Sequence, residues 1–106
     1  MQVRIGRLPG NALMVEDKEV SGSHLVVRWD SAVGAWLAAD AGSLNGTALN
    51  GQRISVGGRH PGQGHRLNSD DIIQLGSSTC IKVCPSGPPH TLLLSVMAYS
   101  ARTSCV

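Results

Sequence analysis

Glycine and proline divide the sequence into short segments, and this spacing restricts the fold more than any other feature. The chain has 13 Gly and 5 Pro among its 106 residues. Between them apolar and polar residues alternate, so that Leu25, Val27 and Trp29 fall on one face of such a segment. No segment joins a helix cap to an apolar stripe of helical period. The pattern predicts an all-β chain, and the spacing of its strands predicts a β-sandwich.

The predicted strands are short and are separated by turns. Asn50-Gly51 is a strong hairpin signal, because both residue types tolerate positive φ. Residues 55–64 are rich in glycine and are predicted to form an exposed connection. Strands are predicted at residues 3–5, 13–16, 24–29, 36–40, 47–49, 53–54, 71–75 and 79–83.

Charge and cysteine content argue against several classes of protein. The net charge of +2 is too small to indicate a nucleic-acid surface. The 3 Cys have no regular spacing, so reduced thiols and a cytoplasmic location, with the nucleus as the alternative, are expected. No His pair at zinc-finger spacing accompanies them, and neither a metal nor a cofactor is predicted. The apolar stretch 91–99 is far shorter than the roughly 20 residues that span a bilayer, so membrane insertion is not expected.

Three loop signatures follow one another beside predicted strands. They are Gly6-Arg7, then Ser21-Gly22-Ser23-His24, then Ser43-Leu44-Asn45-Gly46-Thr47. Trp36 lies between the last two, and Asp-Asp-Ile-Ile-Gln-Leu-Gly follows at 70–76. In this order they resemble the forkhead-associated (FHA) family, in particular the FHA modules of plant kinase-associated type 2C protein phosphatases. The resemblance covers residues 3 to 83 and implies an FHA-type β-sandwich of antiparallel and mixed short strands.

The residue types in these loops suit a phosphate group on an extended peptide. The planar guanidinium of Arg7 can bind two phosphate oxygens at once, although an arginine after a strand can also be solvated and idle. Ser21 offers a hydroxyl donor, and its alternative role is to stabilise a turn. Asn45 has an amide donor and a carbonyl acceptor, which suits it to hold a peptide backbone on both sides. Its alternative role is that of a turn residue before Gly46.

The resemblance assigns a role to each of these positions. It places Arg7 and Ser21 at the phosphate and Asn45 at the ligand main chain. Many family members carry a hydroxyl residue where this chain has Leu44, which can donate only its backbone N–H, and a polar residue where it has Gly22. The predicted phosphopeptide-binding residues are Arg7, Ser21, Gly22, Leu44 and Asn45, and the residues predicted to support their loops are Gly6, His24 and Gly46.

The function implied by the resemblance is phosphothreonine-dependent peptide binding, which would recruit a type 2C phosphatase to phosphorylated receptor-like kinases. The alternative is a phosphate-independent scaffold, which the side chains missing at Gly22 and Leu44 would favour. An enzyme is not predicted. Ser21, His24 and Asp17 lie in one loop without a nucleophile-elbow pattern. The 7 Asp and Glu, without an Asp-Gly-His-Gly sequence, cannot supply the two-metal centre of a phosphatase.

The chain ends depart from the family pattern. Residues 1–84 are predicted to be the FHA domain, and residues 85–106 a linker and an apolar tail outside the resemblance. Family members usually have two strands before the strand that enters Gly6-Arg7, and the resemblance implies that this sequence lacks both. The apolar stretch 91–99 is expected either to be a flexible tail or to dock as a strand where the missing strands would lie.

Overall fold

The computed structural model describes residues 2–85 and 92–98. In this part of the chain ten strands form two five-stranded sheets. In chain order the strands are β1 (Gln2–Gly6), β2 (Leu13–Met14), β3 (Leu25–Asp30), β4 (Ala35–Asp40), β5 (Thr47–Leu49), β6 (Gln52–Ser55), β7 (His65–Arg66), β8 (Ile72–Leu75), β9 (Thr79–Pro85) and β10 (Leu92–Ala98).

The strand order is β2-β1-β3-β4-β7 in the first sheet and β10-β9-β8-β5-β6 in the second. Neighbouring strands are antiparallel except for the parallel pair of β1 and β2. The turn between β5 and β6 is Asn50-Gly51, with φ of 51° and 82°. Both residues therefore adopt the left-handed conformation that the sequence predicted. The all-β sandwich of antiparallel and mixed short strands is confirmed.

The core lies between the two sheets and is built mainly from aliphatic side chains. Leu25 and Val27 of β3 belong to the same buried cluster as Ile73 and Leu75 of β8, and all four are at most 1% exposed. Burying one such side chain stabilises the fold by about 1.5–3 kcal/mol relative to leaving it in water. The complete cluster is Ile5, Val15, Val20, Leu25, Val27, Trp36, Ala38, Leu67, Ile73, Leu75, Ile81 and Val83.

Two short strands differ from the predicted ones. β7 was expected to be part of an irregular connection, yet it pairs with Leu37 and Ala38 of β4. β2 has two residues, where four were predicted. A strand of two residues is too short to show an alternation of apolar and polar residues. Whether it forms is decided by the strand with which it pairs.

Cys80 also differs from its prediction. Its side chain is buried and disulfide-bonded, so the expectation of reduced thiols is wrong for this residue. A disulfide requires two Cβ atoms within about 3.5–4.5 Å of each other, and the spacing of cysteines along a sequence does not reveal that distance.

The apolar stretch near the end of the chain forms a strand. Leu92–Ala98 is strand β10, which pairs antiparallel with β9 and places Leu92 opposite Pro85. β10 therefore occupies the edge of the second sheet next to β9. The division of the chain into 1–84 and 85–106 stays a prediction. Among the described residues, no helix is long and apolar enough to cross a bilayer.

The pairing of β10 with β9 predicts that the end of the chain stabilises the sandwich. Ending the chain after Gly87 removes β10, so that β9 becomes the edge strand and its backbone groups on the side away from β8 lose their partners. A loss of about 1 kcal/mol would lower the melting temperature by roughly 4–8 °C in a domain of this size. Thermal unfolding and dye binding to exposed apolar surface measure the effect. A chain that lacks only residues 100–106 is the control, and equal melting temperatures for the two shortened chains would contradict the prediction.

Candidate functional site

The loops that carry the three signatures meet at one end of the sandwich. Arg7 follows β1, Ser21 lies between β2 and β3, and Asn45 lies between β4 and β5. A depression of about 140 Å³ opens between these loops. Its lining includes all the residues predicted to bind the phosphopeptide: Arg7, Ser21, Gly22, Leu44 and Asn45.

The first two loops are held together by direct backbone contact. The N–H of Arg7 donates to the carbonyl oxygen of Ser21 at 3.0 Å. A Cβ atom on Gly6 would lie 2.1 Å from the carbonyl oxygen of Gly22, so no side chain fits at Gly6 without moving the loops apart. The Nδ2 of Asn11 donates to the same Gly22 oxygen at 2.7 Å. These contacts fix the position of Arg7 relative to Ser21.

Arg7 is exposed and lines the depression. Its Nε donates to the carbonyl oxygen of Val20 at 3.0 Å. Within the described part of the chain, no carboxylate lies within ion-pair distance of Arg7. The Nε bond fixes the orientation of the planar group and leaves both terminal nitrogens for an anion.

His24 connects the second loop to the third from a fully buried position. Its Nδ1 accepts the backbone N–H of Ser21 at 3.0 Å. Its Nε2 lies 2.8 Å from the carbonyl oxygen of Gly46 and 3.2 Å from Oγ1 of Thr47. Because Nδ1 is an acceptor, the neutral ring carries its proton on Nε2 and donates it to Gly46. This arrangement is what the loop-supporting role predicted for His24 requires.

Burial lowers the pKa of His24 below its ordinary value of 6.5. The hydrogen bond to Gly46 and the carboxylate of Asp40, 3.9 Å from Nε2, act in the opposite direction but do not outweigh burial. The neutral ring is therefore favoured, in agreement with its hydrogen bonds.

Asp40 organises the third loop and was not singled out in the sequence. Its Oδ1 accepts the backbone N–H groups of Gly42 and Ser43 at 2.8 and 2.7 Å. Its Oδ2 accepts the hydroxyls of Ser43 and Thr47, both at 2.6 Å. Burial alone would raise the pKa of Asp40, but these four hydrogen bonds outweigh it and lower the pKa below 3.8. A charged carboxylate is thus held under the loop that carries Asn45.

Ser21 and Leu44 bond to each other across the depression. The backbone N–H of Leu44 donates to Oγ of Ser21 at 2.9 Å. The N–H that was expected to face the phosphate is therefore already engaged. Because one lone pair of Oγ is occupied in this way, the Ser21 hydroxyl proton remains available for another acceptor.

Asn45 spans the depression on its other side. Its Nδ2 donates to the carbonyl oxygen of Glu19 at 2.8 Å, which joins the third loop to the second. Gly46, the next residue, has φ of +88°, and a Cβ atom there would lie 2.6 Å from the carbonyl oxygen of Ser55. Only glycine fits at position 46, and it gives the loop that carries Asn45 its backbone conformation.

Two cations in the depression were missed by sequence reasoning. Lys18 and Arg59 both line it, together with Glu19 and Val20. Lys18 lies three residues before Ser21, and Arg59 lies in the glycine-rich connection, next to His60. Arg59 reaches the depression because the long loop after β6 folds back, and no local sequence pattern predicts this fold of the loop.

Asp17, His24 and Asp71 hydrogen-bond to other parts of the fold. Oδ2 of Asp17 accepts the Thr79 hydroxyl at 2.6 Å, and His24 contacts the backbone N–H of Ser21 rather than its hydroxyl. Asp71 accepts Nδ2 of Asn50 and the backbone N–H of Asn68. In the part of the chain that the structure describes, no group of three or more His, Cys, Asp and Glu residues could hold a metal ion.

Comparison with known proteins identifies relatives of this chain. The family model for the FHA domain matches residues 3–76. Protein phosphatase 2C 70 of Arabidopsis thaliana is 42% identical over 86 residues, which are 78% of this chain and 15% of that protein. The chain therefore spans less than a fifth of the length of this curated relative.

Solved structures resemble the chain as well. The kinase-interacting FHA domain of kinase associated protein phosphatase from Arabidopsis gives a TM-score of 0.65 at 32% identity, over 93% of this chain and 75% of that one. A structure from a study of phosphothreonine-dependent FHA domain interactions gives 0.58 at 32% identity, over 71% of this chain and 68% of that one.

The lowered pKa of His24 predicts acid sensitivity of the fold. Below its ordinary pKa of 6.5, the unfolded chain binds a proton at His24 that the folded chain binds only at lower pH. Stability therefore falls as the pH drops below 6.5, by at most about 1.4 kcal/mol per pH unit from this residue.

Urea unfolding between pH 7.5 and 5 measures this slope. His24→Gln, whose amide can still bond both loops, is expected to lose that part of the slope, whereas His60→Gln at an exposed position should keep it. An unchanged slope in His24→Gln would show that another group is responsible.

Proposed function

The chain belongs to the FHA domain family, and from this premise we propose that it binds peptides of phosphorylated proteins through a phosphothreonine held between its loops. FHA domains are phosphothreonine-binding modules rather than catalytic domains. The observation that carries the proposal for this chain is the guanidinium group of Arg7. It is oriented by Val20, forms no ion pair among the described residues and lies beside the Ser21 hydroxyl.

The proposed binding mode uses the donors and acceptors that the loops leave available. The terminal nitrogens of Arg7 bind two oxygens of the phosphate dianion. The Ser21 hydroxyl donates to a third oxygen, because its Oγ accepts from the backbone N–H of Leu44 and its own proton is still available. Asn45 holds the peptide main chain with its Oδ1, to which no side chain in the described part of the chain donates. Gly22 and Leu44 line the path of the peptide.

The proposed partners are phosphothreonine-containing proteins, and more specifically receptor-like kinases. The similarity to a kinase-interacting FHA domain and to a type 2C phosphatase supports this choice. In this proposal the module works in the cytoplasm, where it brings a phosphatase domain of the same polypeptide to a phosphorylated kinase. No part of the binding itself requires a metal or a cofactor.

A phosphate-independent scaffold is the second candidate function. Gly22 has no side chain, and Leu44 replaces a hydroxyl residue, so two polar side-chain contacts of many family members are lacking. The backbone N–H of Leu44 is also engaged by Ser21. These features favour the scaffold only if Arg7 and Ser21 bind a phosphate too weakly on their own.

Replacing Arg7 tests the phosphate site. Arg7→Ala is expected to weaken binding of a phosphothreonine peptide by roughly 10- to 100-fold, because a hydrogen bond to a charged group contributes about 1.5–3 kcal/mol. The fold should survive because Arg7 is exposed on a loop. Calorimetric titration measures the affinity, and Arg66→Ala, an exposed arginine on β7, is the matched control. Equal losses in both variants, or no loss in a folded Arg7→Ala, would refute the assignment.

The chemistry of the ligand separates the two candidate functions. A phosphothreonine peptide should bind more tightly than the matched phosphoserine peptide, since one buried methyl group is worth about 0.8 kcal/mol, or roughly fourfold. The exposed apolar side chain of Leu44 in the lining is where this methyl group would pack. A glutamate peptide should bind poorly, because it carries one charge on a planar group. Equal affinity for the threonine and phosphothreonine peptides would favour the scaffold.

A further inference from the structure

The lining of the depression is more positively charged than one phosphate ligand requires. Three cations line it, Arg7, Lys18 and Arg59, against the single carboxylate of Glu19. The whole chain has 9 Lys and Arg against 7 Asp and Glu. The charges that line the depression therefore sum to +2, which is also the net charge of the chain. The charged residues outside the depression sum to zero. The surplus is concentrated at the binding site.

Glu19 does not neutralise this charge through an ion pair. Its carboxylate accepts hydrogen bonds from the hydroxyls of Ser77 and Ser78 in the turn between β8 and β9. Among the described residues it forms no ion pair with Arg7, Lys18 or Arg59. The cations are therefore available to a ligand.

The backbone fixes Arg59 against the loop that carries Asn45. The N–H of Arg59 donates to the carbonyl oxygen of Ser43 at 2.9 Å, and the N–H of Gly58 donates to that of Leu44 at 2.9 Å. Arg59 has φ of 66°, an uncommon conformation for a residue with a side chain. It follows Gly57 and Gly58, whose φ values are 92° and 73°. The chain thus makes a left-handed turn that returns Arg59 to the depression.

We propose that Lys18 and Arg59 form a second anion subsite beside Arg7, which takes another acidic group of the same peptide. This proposal rests on the proposed function, because the peptide must first be held by its phosphothreonine. The acidic group is a carboxylate or a second phosphate on a residue close to the phosphothreonine. Lys18 lies in the same loop as Ser21, and Arg59 lies in the loop after β6 that bonds to the Asn45 loop. Both line the depression that holds Arg7, so they can contact an anionic group next to the first phosphate.

The second subsite also offsets the departures of this chain from its family. Gly22 and Leu44 contribute no polar side chain to the ligand. Cations from elsewhere in the depression can provide attraction that these positions lack, and they select peptides by charge near the phosphothreonine. Since Lys18 and Arg59 are exposed, the attraction is moderate and is screened by salt.

A set of peptides tests the proposal by calorimetric titration. The reference peptide has one phosphothreonine with uncharged neighbours. One series moves a single aspartate through the positions on either side, and another places a second phosphothreonine at the same positions. At least one placement is expected to strengthen binding to the wild type by roughly 3- to 10-fold at low salt, and less at high salt. The two series distinguish a carboxylate from a phosphate as the preferred group.

Variants then locate the subsite. Lys18→Ala and Arg59→Ala should lower the ratio of affinities for the acidic and the reference peptides, whereas Arg66→Ala should leave it unchanged. No gain from any acidic placement would overturn the proposal while the reference peptide still binds. An equal loss for both peptides in Arg59→Ala would place this residue at the first phosphate and would also overturn it. Failure of every phosphopeptide to bind would instead refute the proposed function.

Discussion

The site depends on the hydrogen bonds that the buried carboxylate of Asp40 accepts. This carboxylate satisfies backbone and hydroxyl donors of the loop after β4, and His24 beside it joins that loop to Ser21. Each of these polar groups is removed from water, so a missing partner would cost about 1–3 kcal/mol. These hydrogen bonds hold the loops in place. The exposed residues Arg7 and Asn45 are positioned by those loops. The geometry of the exposed depression therefore depends on hydrogen bonds of the buried residues Asp40 and His24.

Much of this arrangement could be predicted from the sequence, because local rules act on short segments. Alternation located β3 and β4, and the tolerance of Asn50 and Gly51 for positive φ located the turn after β5. The loop signatures, read together, identified side chains that the structure brings to one depression. Prediction from local patterns is possible where the conformation of a residue, or its neighbours along the chain, decides where it lies.

The residues that escaped prediction are those whose role depends on how a loop folds. In the sequence Asp40 looks only like the end of a strand. In the structure the hydroxyls of Ser43 and Thr47 donate to its carboxylate. Arg59 reads as part of an exposed loop until its backbone bonds to Ser43. The disulfide of Cys80 likewise depends on which side chain lies opposite it. The contacts of Arg59 join distant segments, whereas those of Asp40 lie within one loop and appear only once that loop has folded.

The pairing of β5 with β8 has a consequence for the order in which the molecule folds. The carbonyl oxygen of Gly46 accepts both Nε2 of His24 and the backbone N–H of Gly76, at 2.8 and 3.1 Å. Most of the recognition loops lie in the first half of the chain, yet this shared acceptor is fixed only after β8 has been made. Contacts between such distant segments form slowly, because a long loop must close first. A nascent chain on the ribosome would therefore have made strands β1 to β5 and the three loops between them before the segment that fixes this acceptor exists.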